Sequence, residues 1–405
     1  MNFKIINIFL AILVIELKVF SCTINDIVSD REVKTIETLD TEVPTEFVTF
    51  SVDDTNLEVA ENSDSEDSEV ATDSVNINED SELEGFYNFI NWSLENGLIT
   101  DEDGQIIITE YQNKSKNEIL QQKFDAINYG TKVDVNGYQM SVNISGEQHN
   151  QTIVLLPALG ALSPVLFYKG LVESLITDYK VITIEPFGYG ISDIVKEERT
   201  VENVIPEIHT CLKKLGVDKF YFMGHSIGGI YSLVYSNQYP NEVLGFIGLD
   251  NTPNNYPDFA PIERTEIDIK FYEGFDKYHI WRYYPEEVKK LFIESQMDPN
   301  YNYTDEDMNN YDLIFRDRSF NINSINENEV SKYNVDYAKD MKFQCPILMF
   351  VSSVTNNTVE PKWISLHENM ISNPENSEMV IVDETHWLIH SNHTLISNKI
   401  KEWIK

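Results

Sequence analysis

The stretch Phe220-Tyr221-Phe222-Met223-Gly224-His225-Ser226-Ile227-Gly228-Gly229-Ile230 decides the fold of this chain. Phe220–Met223 is an apolar run of strand type, and Gly229-Ile230-Tyr231-Ser232-Leu233-Val234 reads as a helix. The pattern predicts a strand, a sharp turn and a helix, with Ser226 at the turn. Glycines on both sides let the backbone pass tightly beneath the serine. The hydroxyl then projects at a helix start, where free N–H groups favour developing negative charge.

Working outward, apolar strands are expected at Ile153–Leu156, Val181–Ile184, Val243–Leu249, Pro346–Val351 and Met379–Val382. They are preceded by a hairpin, Lys132–Val135 and Tyr138–Val142, joined by Asn136-Gly137. Helices are expected at Val201–Leu215, closed by Gly216, and at Ser391–Ile404. Strands apolar on both faces and separated by helices imply an α/β fold with a mostly parallel sheet covered on both sides. Ligand then belongs at the carboxyl ends of the strands. Between residues 251 and 342 the strand rhythm stops and aromatics accumulate: Phe271, Tyr272, Phe275, Tyr278, Trp281, Tyr283 and Tyr284. Pro285-Glu286-Glu287-Val288 opens a helix there. Most of these aromatics should form the insert's own core, and a minority should line a pocket over Ser226.

Three further motifs accompany the serine turn. Ile153-Val154-Leu155-Leu156-Pro157 is a buried strand running into a loop. Phe187-Gly188-Tyr189-Gly190-Ile191-Ser192-Asp193 follows the strand Val181–Ile184. Glu384-Thr385-His386-Trp387 follows the last strand. With these, residues from about Gly130 to Lys405 resemble the α/β-hydrolase superfamily, specifically serine hydrolases with a helical cap inserted after strand 6.

The resemblance implies that Ser226 is the nucleophile and His386 its base, in the order serine, acid, histidine. His390 and His393 compete for the base role, and His225 reads as a structural neighbour of the serine. Many relatives carry the acid after strand 7, but Val351–Glu360 contains no Asp and Glu360 falls late. Asp250, at the end of strand 6, is preferred over Glu360 as the triad acid. A third reading has Asp250 capping the first turn of the insert, with an Asn or a backbone carbonyl orienting the base. The oxyanion hole would use the amide of Ile227 and, by position, that of Leu159 in Pro157-Ala158-Leu159-Gly160, where relatives carry His-Gly.

Composition bounds the partners. The 405 residues carry a net charge of −37 and are 42% hydrophobic, so a large core is available, and the charge argues against nucleic acid as a partner, since phosphate binding needs a basic surface. That charge also disfavours anionic membranes. The histidines are not spaced as ligand pairs with nearby carboxylates on one helix face, and no cofactor is implied. The three cysteines give no disulfide framework. Free thiols at Cys211 and Cys345 are preferred over a single bridge between them.

Residues 1–21 read as a secretory signal, with Lys4 before the apolar stretch Ile5–Ile15, which is too short to span a bilayer. A lipid anchor at Cys22 is the alternative, weakened by Phe20 in the lipobox-like Val19-Phe20-Ser21-Cys22. Sequons at Asn91, Asn113, Asn143, Asn150, Asn302, Asn356 and Asn392 are compatible with a secreted glycoprotein. Residues 22–85 form an acidic segment, too poor in apolar residues to fold and without the spacing of a calcium loop. Residues 86–129 read as a small appendage: a short helix at Phe86–Trp92, a turn at Asp101–Gly104 and a strand at Ile106–Ile108. Residues 130–405 form the hydrolase domain, with its cap at 251–342.

The sequence therefore points to a secreted serine hydrolase acting on a small-molecule ester or amide, with carboxylic ester cleavage first among its reactions. Aminopeptidase, thioesterase and C–C hydrolase chemistry stay open, because the cap and not the turn sets the substrate. A serine nucleophile disfavours epoxide hydrolysis and dehalogenation, where the resembled families use Asp. The alternative from another class is a secreted, non-catalytic binding module with the acidic segment as its interaction tail.

Overall fold

The computed structural model describes residues 76–404 apart from 257, 258, 260–264, 285, 359 and 373. The leader expected at 1–21, and the expected acidic segment up to residue 75, lie outside the described residues.

Successive side chains of a strand point to opposite faces of its sheet, and here both faces are apolar. Val154 and Leu156 of β3 (Thr152–Leu156) enter one buried cluster, while Ile153 and Leu155 enter another. The same split recurs at Phe222 and Met223 of β5 (Phe220–His225), and at Phe246 and Ile247 of β6 (Val243–Leu249). The other strands are β1 (Thr131–Val135), β2 (Tyr138–Ser145), β4 (Lys180–Glu185), β7 (Ile347–Ser352) and β8 (Glu378–Val382). They form one sheet in the order β1-β2-β4-β3-β5-β6-β7-β8. The β1/β2 and β2/β4 pairs are antiparallel and the rest parallel. The expected hairpin turn is present, with Asn136 at φ 56° and Gly137 at φ 92°, the left-handed pair that a two-residue hairpin demands.

Helices cover both faces. One cluster takes in residues of Val201–Lys214 and Gly228–Gln238, and the other residues of Lys169–Leu175 and His393–Trp403. The first of these helices ends as its sequence suggests: Gly216 takes φ 70° and Val217 N donates to Leu212 O at 3.0 Å. Cys211 and Cys345 are free, and burial pushes both thiols up to about 12.

The region before β1 differs from its expected form. Its described residues form three helices, α1 (Asn76–Glu95), α2 (Asp101–Tyr111) and α3 (Lys114–Asp125). Helix α1 begins inside the segment expected to lack structure. Phe86, Phe89 and Ile90 recur at helical spacing and bury one stripe, and the acids Glu82 and Glu84 occupy exposed positions that cost the helix little. The strand expected at Ile106–Ile108 is part of α2. Thr100 caps that helix by accepting from Asp103 N at 3.1 Å, and three acids fill its first turn. The buried residues Asp103, Gly104 and Ile107 follow helical, not alternating, spacing.

These helices pack on the cap. The cap contributes the helices Glu266–Lys277, Glu286–Gln296, Asp305–Arg318 and Ile322–Ala338, all between β6 and β7. Phe89 meets Phe271, Phe275 and Tyr278, and Phe86 stacks on Tyr111 and meets Tyr278 edge-on. One apolar cluster thus joins the appendage to the insert, and most of the insert's aromatics serve that core. Phe86 is fully buried, so Phe86→Ala is expected to cost about 3–5 kcal/mol in the unfolding step that involves this cluster. Urea denaturation of the purified protein measures it; a loss under about 1 kcal/mol would mean that the helices only rest on the cap.

Candidate active site

Strand β5 ends at His225 and the following helix starts at Gly228, leaving Ser226 in the turn with φ 53°. That left-handed value is strained for a residue with a Cβ, by about 1–3 kcal/mol, and is held by its surroundings. Ser226 O accepts from Gly229 N at 3.0 Å and from Thr252 N at 2.9 Å. A Cβ on Gly224 would sit 2.7 Å from Gly228 O, and one on Gly228 would sit 2.7 Å from Leu156 O. Both glycines are therefore required by backbone packing. Ser226 is fully buried, and its Oγ has no hydrogen-bond partner among the described residues.

Asp250 follows β6 directly, also left-handed at φ 41°. Its backbone N donates to Phe350 O at 2.8 Å, tying the turn to β7. The carboxylate is fully buried and accepts four hydrogen bonds. Oδ1 takes Ser352 N at 2.8 Å and Trp363 Nε1 at 2.7 Å. Oδ2 takes Thr355 Oγ1 at 3.2 Å and His386 Nδ1 at 2.7 Å. Burial alone would raise this carboxyl's pKa, but the His386 hydrogen bond and charge, with the Ser352 amide, hold it below the ordinary value. An ionised carboxylate on Nδ1 leaves the Nε2 edge of the ring for proton transfer.

His386 lies in the loop after β8, with its ring buried beside His225 at 4.8 Å between centroids. The loop after β3 abuts the turn, since a Cβ on Gly228 would also lie 2.8 Å from Pro157 O. In that loop Ala158 N donates to Tyr168 Oη at 2.9 Å and Gly160 N to Tyr189 Oη at 3.4 Å. Among the described residues, the amides of Leu159 and Ile227 have no protein acceptor.

The structure thus brings Ser226, Asp250, His386, Ile227 and Leu159 to one end of the sheet. The side chains of the competitors have other partners. Glu360 turns back to accept from Lys362 N at 3.0 Å, at the entry to the helix Trp363–Glu368. His393 pairs with Asp298 at 2.7 Å, and His390 packs on Phe167, its pKa pushed down to about 4 by burial. Two participants were not legible in the sequence. Trp363 and Thr355 hold the carboxylate from the β7 side, Thr355 within the stretch Val351–Glu360 where relatives were expected to carry the acid and Trp363 just beyond it. The only hint was that this loop lacked an Asp.

Residues 151–392, more than half of the chain, match the family described as alpha/beta hydrolase fold. Among curated proteins, the chain is similar to the uncharacterized protein YbdG of Bacillus subtilis, 26% identical over 175 residues that cover 41% of this chain and 54% of that protein. It is also similar to 3-oxoadipate enol-lactonase 1 of Acinetobacter baylyi, 31% identical over 97 residues that cover 24% of this chain and 35% of that protein. The chain spans from about a third to about half the length of these two relatives. Among solved structures, Cfl2 from Burkholderia cenocepacia superposes with a TM-score of 0.52 at 14% identity, covering 68% of this chain and 95% of that one. Epoxide hydrolase VrEH1 from Vigna radiata gives 0.50 at 16%, covering 69% and 99%. At such identities the likeness is one of fold alone. Fold and family match agree, and the chain belongs to the α/β-hydrolase superfamily.

Proposed function

We propose that this protein is a secreted serine hydrolase that cleaves carboxylic esters through an acyl-enzyme. The observation that carries the reading is the 2.7 Å bond from His386 Nδ1 to Asp250 Oδ2, buried beside a serine held at φ 53°. Ser226 Oγ adds to the ester carbonyl while His386 Nε2 takes its proton. Asp250 orients the ring and stabilises the imidazolium that forms. The oxygen that gains charge meets the amides of Ile227 and Leu159, and each such donor contributes about 3–4 kcal/mol in the transition state. Collapse of the intermediate breaks the ester C–O bond, and His386 returns the proton to the departing alcohol. Water then adds to the acyl-enzyme with His386 again as base, releasing the acid and restoring the Ser226 hydroxyl.

Ester cleavage is placed first because an alkoxide leaves more readily than an amide nitrogen, so it asks least of a generic site. A serine in the elbow also argues against the aspartate ester that epoxide opening would need. Secretion rests on the leader-like residues 1–21, and the N-terminus of the exported protein tests it, expected at Cys22.

Labelling with a fluorophosphonate, read by peptide mass, tests the chemistry. Stoichiometric modification of Ser226 is expected, followed by turnover of nitrophenyl esters. Folded protein that takes up no phosphonate would favour a non-catalytic binding module on the same fold.

A further inference from the structure

Three hydrogen bonds run in series beneath the site. Ala158 N donates to Tyr168 Oη at 2.9 Å, Tyr168 Oη lies 2.8 Å from His225 Nδ1, and His225 Nε2 lies 3.0 Å from His386 O. All four residues are buried. The directions follow from chemistry. A carbonyl oxygen only accepts, so the His225 proton sits on Nε2. Burial, together with the neighbouring His386, pushes the His225 pKa well below its ordinary value, so the ring is neutral and Nδ1 is bare. The Tyr168 hydroxyl therefore donates to Nδ1, and its oxygen accepts the Ala158 amide. Burial raises the phenol's pKa, so the hydroxyl keeps its proton.

We infer that Tyr168 is a positioning residue which, through His225, fixes the oxyanion loop and the base loop to one another. The inference rests on the serine-hydrolase reading above. It explains how Pro157-Ala158-Leu159-Gly160 keeps its shape without His-Gly. A phenol from outside the loop binds the Ala158 amide, and the Tyr189 hydroxyl takes the Gly160 amide at 3.4 Å. The N–H between them, that of Leu159, is left for a substrate oxygen. At the other end of the series, His225 holds the backbone carbonyl of His386 itself. One hydroxyl thus sets the spacing between proton acceptor and oxyanion donor, a distance to which catalysis is steeply sensitive.

Tyr168→Phe keeps the ring that packs on Phe167 and His225 and removes only the hydroxyl. We expect kcat for a nitrophenyl ester to fall about 10- to 100-fold, with KM within about threefold and the phosphonylation rate of Ser226 falling in parallel. His225→Gln, which offers one acceptor and one donor, should stay within about fivefold of wild type, whereas His225→Leu should fall as Tyr168→Phe does. A folded Tyr168→Phe protein with kcat within about twofold of wild type overturns the inference. Should Tyr168→Phe not fold, the pair at 225 decides: equal kcat in the Gln and Leu variants overturns the inference, and a Gln variant well above Leu supports it. If wild type takes no phosphonate at Ser226, the serine-hydrolase reading fails and this inference falls with it.

Discussion

Ser226→Ala is expected to lower kcat for a nitrophenyl ester by about 10⁵- to 10⁶-fold, because the two-step route through a covalent intermediate is lost entirely. KM should stay within a few fold, since the amides of Leu159 and Ile227 remain to bind the carbonyl. Stability should not fall. Among the described residues the hydroxyl has no protein partner, so its removal leaves none of their donors or acceptors unsatisfied. Thermal unfolding and steady-state kinetics on the same preparation check both halves. Residual activity above about a hundredth of wild type would place the nucleophile elsewhere.

Asp250→Asn is expected to cost about 10⁴-fold in kcat. The reason is specific to this site. Ser352 N and Trp363 Nε1 both donate to Oδ1, so an asparagine keeps its carbonyl oxygen there. Its NH₂ then faces His386 Nδ1, which must accept. The ring proton moves to Nε2, the atom that has to receive the Ser226 proton. Glu360→Gln, which preserves the acceptor for Lys362 N, should leave kcat within about twofold. The reverse outcome would reassign the acid.

The same variant carries a pH signature. The native Asp250 carboxyl is held below its unfolded value of 3.8, so its ionisation stabilises the fold above that pH. The contribution is lost as pH falls through the native value. The stability gap between wild type and Asp250→Asn should therefore be constant near neutrality and shrink below about pH 4. Denaturant titrations at three pH values measure it, and a gap that widens on acidification would contradict the assigned direction.

Much of the sheet was legible because its strands are buried on both faces. Ile153–Leu156 and Val243–Leu249 could hardly be solvent-exposed strands, and the glycines around Ser226 had few other uses. Helix α2 was misread because Ile106-Ile107-Ile108 is a β-branched run, and only the cap on Thr100 and the acidic first turn gave its helix away. The start of α1 was misread because a solvated acidic face looks like disorder until a partner for its other stripe is known. That partner is the cap, distant in sequence. At the site, the serine and histidine stood in motifs, whereas the acid was a choice between Asp250 and Glu360. Spacing could not decide it, since the donors that gather on Asp250 come from Ser352, Thr355, Trp363 and His386, all over a hundred residues away.

The insert departs from the sheet at the carboxylate itself, and its second residue beyond, Thr252, still donates to Ser226 O at 2.9 Å. A chimaera that borrows a foreign lid must therefore be spliced after Thr252. A junction before Asp250 would exchange the left-handed turn that carries the carboxylate together with the insert, and one between Asp250 and Thr252 would exchange the amide that holds Ser226 O.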